Sequence, residues 1–573
     1  MSEQGKKQTT SFSSNKISNK TKTEETKHVS QTAPSSDSPK SPDVAPASSE
    51  NSDTAAEATT ALQTPSFKTQ LIAIIITFVV VALAVLFGIL LVTKKGVFHE
   101  PGKILFANAE DLTGSDDDNM LSPVTEVGQN FINENLQDIE LKSDLTISTK
   151  TTLAKLANET DTTNSVLYQI LVPTTDFYNM MTSISTAEAK ALINNKSDDS
   201  ENTEITLTSI WDLTSEQRLL AIDDNYYLDT LDSGAFFEYY ILDGDAEDVE
   251  KVKTALEAKI QAFPTSDEIL TFAQTGVTAL SRGMNRKLDQ VGDANYFSAN
   301  IGEYLSHFDL THTSNESSFS ASANDRNICS KPNMIDVITS SGFDIIELTG
   351  NHNQDCGDND AIATIDLCNS LGIKTVGGGK TAAESAIPLE ISDKGTNITM
   401  LAYNYSTGGY TTDNTPGANL YTDEKAKSDI AAAKERGDFI IVDVQFFECN
   451  SYVNTSEDTT CDYANSSAGD QVGFFRNLID LGADIVVGTS AHQPQTFELY
   501  KDGAIYYGLG NLFFDQAWWP GTTRSIILVH YFLDGKLVQT RLVPTVYDQT
   551  YQTKLMEDKD AEAFLTRLVK VRP

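Results

Sequence analysis

Positive charge is scarce in this chain: 42 Lys and Arg stand against 81 Asp and Glu, a formal net charge of −39 over 573 residues. So acidic a chain is repelled by nucleic-acid phosphates and by anionic headgroups, which excludes a nucleic-acid partner. Cysteine is also sparse. All five, Cys329, Cys356, Cys368, Cys449 and Cys461, lie in the second half, and no CxxC occurs, so zinc-site spacing is absent. In an exported domain one or two disulfides would form, with Cys449 and Cys461 closing a natural loop and one thiol left over; spacing alone does not fix the pairing. Gly377-Gly378-Gly379 lacks the Lys-Ser of a phosphate loop and reads as a flexible turn. No internal repeat is present, and the chain does not start with the short basic-then-apolar pattern of a cleaved signal peptide.

The length suits several units, and 40% hydrophobic with 9% aromatic residues supply real cores. Residues 1–67, a Ser, Thr, Lys, Glu, Ala and Pro mixture, cannot offset the entropy of ordering and read as a disordered tail. Leu71 to Val92 is apolar except for Thr77. About 20 such residues at about 1.5 Å each span a bilayer core, so 68–93 is predicted to be a transmembrane helix. Lys94 and Lys95 behind it would hold the large C-terminal part inside. Against them stand eight lysines from Lys6 to Lys68, the ability of long domains to translocate whatever the flank charge, and the cysteines. The expectation is a single-pass cell-membrane protein, partnered by the bilayer, with its large C-terminal domain extracytoplasmic.

Residues 103–265 read as a smaller α+β domain. Val166 to Val172 is predicted as a strand, Thr186 to Asn194 and Ala246 to Ala262 as helices, and Leu219 to Leu231 as strand, turn, strand around Asp223-Asp224-Asn225. From 267 to 545 strands and helices alternate. Strands are predicted at Glu268–Gln274, Phe343–Leu348, Lys374–Val376, Asn397–Ala402, Asp438–Gln445 and Asp484–Val487. Helices fall at Lys331–Ser340, Asp360–Ser370, Glu424–Lys434 and Gln471–Leu481. This alternation implies an α/β fold with parallel or mixed sheets. Thr496 to Leu542, with turns at Asp502-Gly503 and Asp534-Gly535, should add antiparallel strands closing one edge, and 546–573 a C-terminal helix.

Polar clusters sit where predicted strands end, as sites do in open α/β sheets. Gly350-Asn351-His352-Asn353-Gln354-Asp355 follows FDIIEL, and Gly488 to Gln495, with His492, follows DIVV. Asn315-Glu316 follows DLTHT, and Gln445 to Glu448 ends a further strand. An Asn carbonyl, an imidazole and a carboxylate converging there suit a divalent cation or a phosphate oxygen. Taken singly, each cluster is also an ordinary polar turn. His307, His312 and His530 read as structural, and Trp518-Trp519 as a rim or core pair.

In order, GVTALSR from Gly276, Asn315-Glu316, GNHNQDCG from Gly350, Gln445-Phe446-Phe447-Glu448, Gly488 with His492 and Gln495, and GLGNLFFDQ from Gly508 resemble the motifs of the capsule-synthesis CapA family. That family is a branch of the metallophosphoesterase-like folds. The segment Leu171 to Ser185 is similar to the periplasmic-binding-protein-like lobe that precedes some CapA domains. The resemblance implies a metallophosphoesterase-like sandwich with mixed sheets. It also implies a role in poly-γ-glutamate or a similar anionic envelope polymer, alongside a membrane polymer synthase. Three positions depart from the family pattern: Val277 stands for a metal-bridging aspartate, Gln445 for a strand-end histidine, and Thr489 for the first histidine of the fifth motif. The divergent site implied has Glu316, Asn351, His492 and Gln445 around a divalent metal. His352 with Asp355 serves as acid, Arg282 clamps an anionic group, and Gln495 and Asn511 contact substrate. Two functions follow: a metal-assisted hydrolase of phosphoester or amide bonds, or a non-catalytic ectodomain that binds polymer beside the synthase.

Overall fold

The computed structural model describes residues 101–108, 112, 120–153, 163–194, 204–405, 407–446 and 470–573. The predicted tail and transmembrane helix, and Phe447, Glu448, Cys449 and Cys461, lie outside these residues. Among the described residues no helix is long and apolar enough to cross a membrane.

The first part of the described chain builds one sheet and a short strand pair. Its strands are β1 (Ile104–Phe106), β2 (Met120–Ser122), β3 (Leu145–Leu153), β4 (Ser165–Asp176), β5 (Ser183–Ile184), β6 (Ile205–Ser209), β7 (Gln217–Leu219), β8 (Ala221–Ile222) and β9 (Phe236–Asp243). The sheet runs β1-β3-β9-β4-β6, with β2 on β3 and β7 on β4, and only β1 and β3 pair in parallel. The helices at Thr186–Asn194 and Ala246–Glu257 fall where expected, the second ending earlier than 262. It opens on Asp245, whose carboxylate accepts from the Glu247 amide at 3.0 Å. Between 219 and 231 the turn at Asp223-Asp224 is present, both residues at positive φ, but no second strand follows. Tyr226, Tyr227 and Leu228 are all buried, and Tyr227–Thr230 forms a helical turn that ends on Leu231 in the left-handed region.

The remaining chain builds two facing sheets. The strands are β10 (Ile269–Thr278), β11 (Leu310–Asn315), β12 (Ile345–Glu347), β13 (Lys374–Val376), β14 (Gly378–Gly379), β15 (Leu389–Asp393), β16 (Thr396–Asn404) and β17 (Gly417–Ala418). There follow β18 (Phe439–Gln445), β19 (Ile485–Gly488), β20 (Phe497–Tyr500), β21 (Gly503–Tyr506), β22 (Asn511–Phe513), β23 (Arg524–Leu533), β24 (Lys536–Val546) and β25 (Lys554–Leu555). One sheet is ordered β13-β12-β11-β10-β23-β24-β25 with β22 beside β10; the other is β15-β16-β18-β19-β21-β20. The late antiparallel strands do not close a single edge as expected. The β20–β21 hairpin edges the second sheet, while β23 and β24 extend the first from β10. The reason is β22, which leaves the hairpin and pairs in parallel with β10 in the opposite sheet.

Side-chain alternation sorts each strand between two layers. In β18, Ile440, Val442 and Val444 join a core with the helices Asp423–Arg436 and Gln471–Leu481, while Ile441 faces the other sheet. The first helix buries Ala426, Ile430 and Ala433 along one stripe, starts on Thr422 and stops at Gly437 in the left-handed region. In β23, Ile526, Leu528 and Phe532 point between the sheets and Ile527, Val529 and Tyr531 point away. The outward set shares a core with Val172, Ile210 and Leu219, so the sheet of β1 to β9 packs on the back of the sheet that holds β10 and β23. The C-terminal helix is shorter than expected, Asp558–Lys570, because 546–557 ends β24 and forms β25; it sends Phe564, Leu565 and Leu568 into the inter-sheet core.

Two glycine segments set close approaches. The run at 377–379 is not a flexible turn: β14 pairs with β17, and a Cβ on Gly378 would lie 2.4 Å from Leu348 Cβ. At the crossing of β22 and β10, a Cβ on Gly276 would lie 2.0 Å from the Gly510 carbonyl, to which the Val277 amide donates at 2.9 Å. Gly276→Ala is therefore expected to lower the unfolding free energy by about 1–3 kcal/mol, read by urea titration, because a backbone atom cannot move aside as a side chain can.

Candidate functional site

Strands β10, β11 and β12 run parallel, as do β16, β18 and β19, so the loops bearing the polar motifs leave the C-terminal ends of parallel strands. Below those loops the inter-sheet face turns from hydrocarbon to polar. The same alternation that points Phe272, Leu310, Ile345 and Ile441 inward places Gln274, His312, Glu347 and Asp443 there two residues later, all fully buried. Gln274 Nε2 donates to Asp443 Oδ1 at 2.6 Å, and His312 Nε2 lies 3.2 Å from Asp443 Oδ2. His530 continues the chain, its Nε2 3.4 Å from Gln274 Oε1 and its Nδ1 3.0 Å from Thr540 Oγ1. Burial, with His312 nearby, pushes His530 down to about 3, so it is neutral. Burial and then Asp443 push Glu347 up to about 7, against hydrogen bonds from Ser314 and Thr349.

One step higher stands the first predicted group. Glu316, two per cent exposed, sits where β11 ends, its amide bonded to the Thr278 carbonyl at 2.9 Å. Gln445 at the end of β18 reaches across from the other sheet: its Nε2 lies 3.4 Å from Glu316 Oε1 and 3.2 Å from Asn351 Oδ1. Gly350 permits this closeness, since a Cβ there would meet Glu316 Cα and Cγ at 2.9 Å. The turn goes on to His352, whose Nδ1 is 2.9 Å from Asp355 Oδ2 with both side chains about one-third exposed. With the proton on Nδ1, the basic nitrogen is Nε2.

A second group gathers around Phe514. Arg282, at positive φ before the helix Gly283–Val291, donates from Nε to Asp515 Oδ1 at 3.0 Å, and its guanidinium lies 4.7 Å from the Phe514 ring centre. The His492 ring is 5.1 Å from the same phenyl, and its Nδ1 is 2.9 Å from Asn511 Oδ1. The Asn511 amide donates to the Thr522 carbonyl at 3.0 Å and to Gln516 Oε1 at 3.2 Å, so this buried side chain orients His492. Gln495 is buried, with its backbone amide on the Gly508 carbonyl. Trp518 and Trp519 form an edge-on pair, Trp518 half exposed beside Arg282.

The donors do not fit a two-metal centre. Such a centre needs several carboxylates and imidazoles to hold ions about 3.5–4 Å apart. Here Val277 is fully buried, Glu316 is the one carboxylate of the first group, and the Gln445 N–H groups face it. Among the described residues no group of three or more His, Cys, Asp or Glu is placed to hold a metal ion.

Two features went unread in the sequence. Asp515 closes the quoted GLGNLFFDQ motif, and its pairing with Arg282 becomes visible only when β22 lies beside β10. Cys356, inside GNHNQDCG, bonds Cys329 with 6.0 Å between Cα atoms; this disulfide ties the His352 turn to the loop after Glu316. Cys368 is free and buried.

Residues 271–516 match the family described as bacterial capsule synthesis protein PGA_cap. Similar curated relatives include a capsule biosynthesis protein CapA of Bacillus anthracis, 24% identical over 47% of this chain and 64% of its own length. Another is a PGA biosynthesis protein CapA of Bacillus subtilis, 27% identical over 35% of this chain and 49% of its own length. A probable polyglutamine synthesis accessory protein of Mycobacterium tuberculosis is 25% identical over 37% and 58%. The chain thus spans 49 to 64% of the length of these relatives. Among solved structures, the NAD nucleotidase of Haemophilus influenzae aligns at a TM-score of 0.28 and 10% identity, covering 52% of this chain and 55% of that one. A 5'-nucleotidase precursor of Thermus thermophilus aligns at 0.28 and 12%, covering 53% and 59%. Likenesses at that level bear on neither fold nor function.

Cys356→Ser should cost roughly 2–4 kcal/mol of stability, since it frees a long loop in the unfolded chain, and should broaden the His352 ring resonances in NMR spectra. For Glu347, the folded value of about 7 exceeds the ordinary 4.5, so the folded state holds a proton that the unfolded chain releases between them. Its contribution is complete at low pH and lost as pH rises through about 7. Glu347→Gln should flatten the fall in melting temperature across that window.

Proposed function

Because residues 271–516 form a bacterial capsule-synthesis domain of the CapA type, we propose that the protein serves the making or processing of an anionic, poly-γ-glutamate-like envelope polymer, by holding the chain at its strand-end face. The observation that carries this reading is the Gln445 amide, which takes up the place between Glu316 and Asn351 and offers them N–H groups. An amide so placed hydrogen-bonds carbonyls and carboxylates as readily as its present partners, but supplies no negative charge for a cation. Asn351, His352 and Arg282 add further donors at the same strand ends.

The surrounding charge of −39 opposes a polyanion. Contact with the polymer should accordingly strengthen as salt screens that repulsion, the reverse of ordinary polyanion binding. The Cys329–Cys356 disulfide supports an oxidising compartment outside the cytoplasm, with 68–93 as the anchor and a membrane polymer synthase as neighbour.

A second reading is favoured by the 2.9 Å His352–Asp355 pair: acid–base cleavage of the polymer, with Asp355 orienting the ring and Nε2 exchanging a proton with the scissile group. The test is to incubate the full-length protein with γ-linked polyglutamate, measuring retention, chain length and bound metal. Retention that grows with salt, with chains intact and no stoichiometric metal, is expected. Metal-free shortening abolished by His352→Ala would select the second reading. Stoichiometric divalent metal with cleavage lost in Glu316→Gln would overturn both.

A further inference from the structure

Arg218 lies on β7, away from the strand-end face, and is buried to six per cent exposure. Among the described residues its Nε and Nη1 have no hydrogen-bond partner. The described ionisable groups that act on it are Tyr226, Tyr506 and Arg541, the last of its own sign, with no carboxylate among them. Asp229 is engaged elsewhere: it accepts from Arg541 Nη1 at 2.8 Å and from the Tyr531 hydroxyl at 2.5 Å. Arg541 itself stacks over Tyr226 at 4.3 Å.

Burial lowers the pKa of Arg218, yet a guanidinium keeps its proton in any protein environment. Water could satisfy its N–H groups but would leave the charge uncompensated in a low-dielectric interior. None of the described residues supplies the compensating charge, which leaves that place open to a bound species. Tyr506 belongs to β21 and Arg541 to β24, while Arg218 pairs with Thr175 in the first sheet. The surroundings thus come from all three large sheets, and the Leu219 amide beside it donates across the same junction to Gln539 Oε1 at 3.2 Å.

We propose that Arg218 marks a buried site for one small monovalent anion, a carboxylate or halide, which locks the first sheet onto the back of the two-sheet domain. The ligand supplies the negative charge that none of the described neighbours offers Arg218, since Asp229 is taken by Arg541.

The full-length protein in zwitterionic buffer is melted with increasing formate or bromide, with sulfate, which is divalent and bulky, balancing ionic strength. The wild type should rise by roughly 1–2 °C at about tenfold excess over the dissociation constant, and by about as much again for each further tenfold. Arg218→Met, which removes the charge and keeps most of the bulk, should show no such rise. An equal rise in both proteins, or none in the wild type, overturns the proposal. Should Arg218→Met fail to fold, crystals of the wild type grown in bromide decide: an anomalous peak in contact with the Arg218 guanidinium is expected, and bromide found only on the surface overturns the site.

Discussion

Asp443 accepts a hydrogen bond from Gln274 and contacts His312, so the two facing sheets meet through polar groups and not through hydrocarbon alone. An ion or dipole taken from water into such a layer costs several kcal/mol unless its partners are in place, and losing one partner of a buried pair costs of order 3–5 kcal/mol. Hydrocarbon faces can slide over each other; a hydrogen-bonded chain from Asp443 through Gln274 to His530 and Thr540 cannot. It sets the register of one sheet against the other, and with it the separation of the loops above. The Gln445 bridge to Glu316 and Asn351 depends on that separation, since it spans from one sheet's strand end to the other's.

The helices and strands of the two-sheet domain were readable because hydrophobic periodicity governs them. Lys374–Val376 and Gln471–Leu481 fall where the pattern puts them, and most other elements differ by a few residues at their ends. The polar layer was open to the same logic and escaped it. Gln274, His312, Glu347 and Asp443 each sit two residues beyond an inward apolar side chain, which is the period of a strand, but a polar residue near a strand end reads as solvent-facing when considered alone. What periodicity cannot carry is pairing between distant segments. The migration of β22 to β10, the Arg282–Asp515 bond and the choice of Cys329 for Cys356 are long-range facts, fixed by sheet topology and not by local pattern. The helical turn at Tyr227–Thr230 was hidden because it is a single turn, too short to show a helical period, and Tyr226 and Tyr227 carry strand propensity.

The motif residues have sorted themselves by partner. Glu316, Asn351 and Gln445 form one hydrogen-bonded group, His352 and Asp355 a pair beside it about one-third exposed, and Arg282, His492, Asn511 and Asp515 a cluster around Phe514. A fold built to present strand-end loops retains its architecture when individual ligands are exchanged, because the loops contribute little to the sheets beneath them. Val277 shows how local such a change is: it is fully buried and pairs with Ser314 and Asn511, with the register of β10 shifting just before it against β11 and just after it against β22.

The amide of Gln445 carries a final consequence. An imidazole at that strand end would gain or lose a proton near neutrality, and each change would alter its bonds to the carboxylate opposite. A carboxamide has no such transition. The joint between Glu316 and Asn351 therefore has one fewer titrating partner, and a change of pH has no handle on the residue that spans the two sheets.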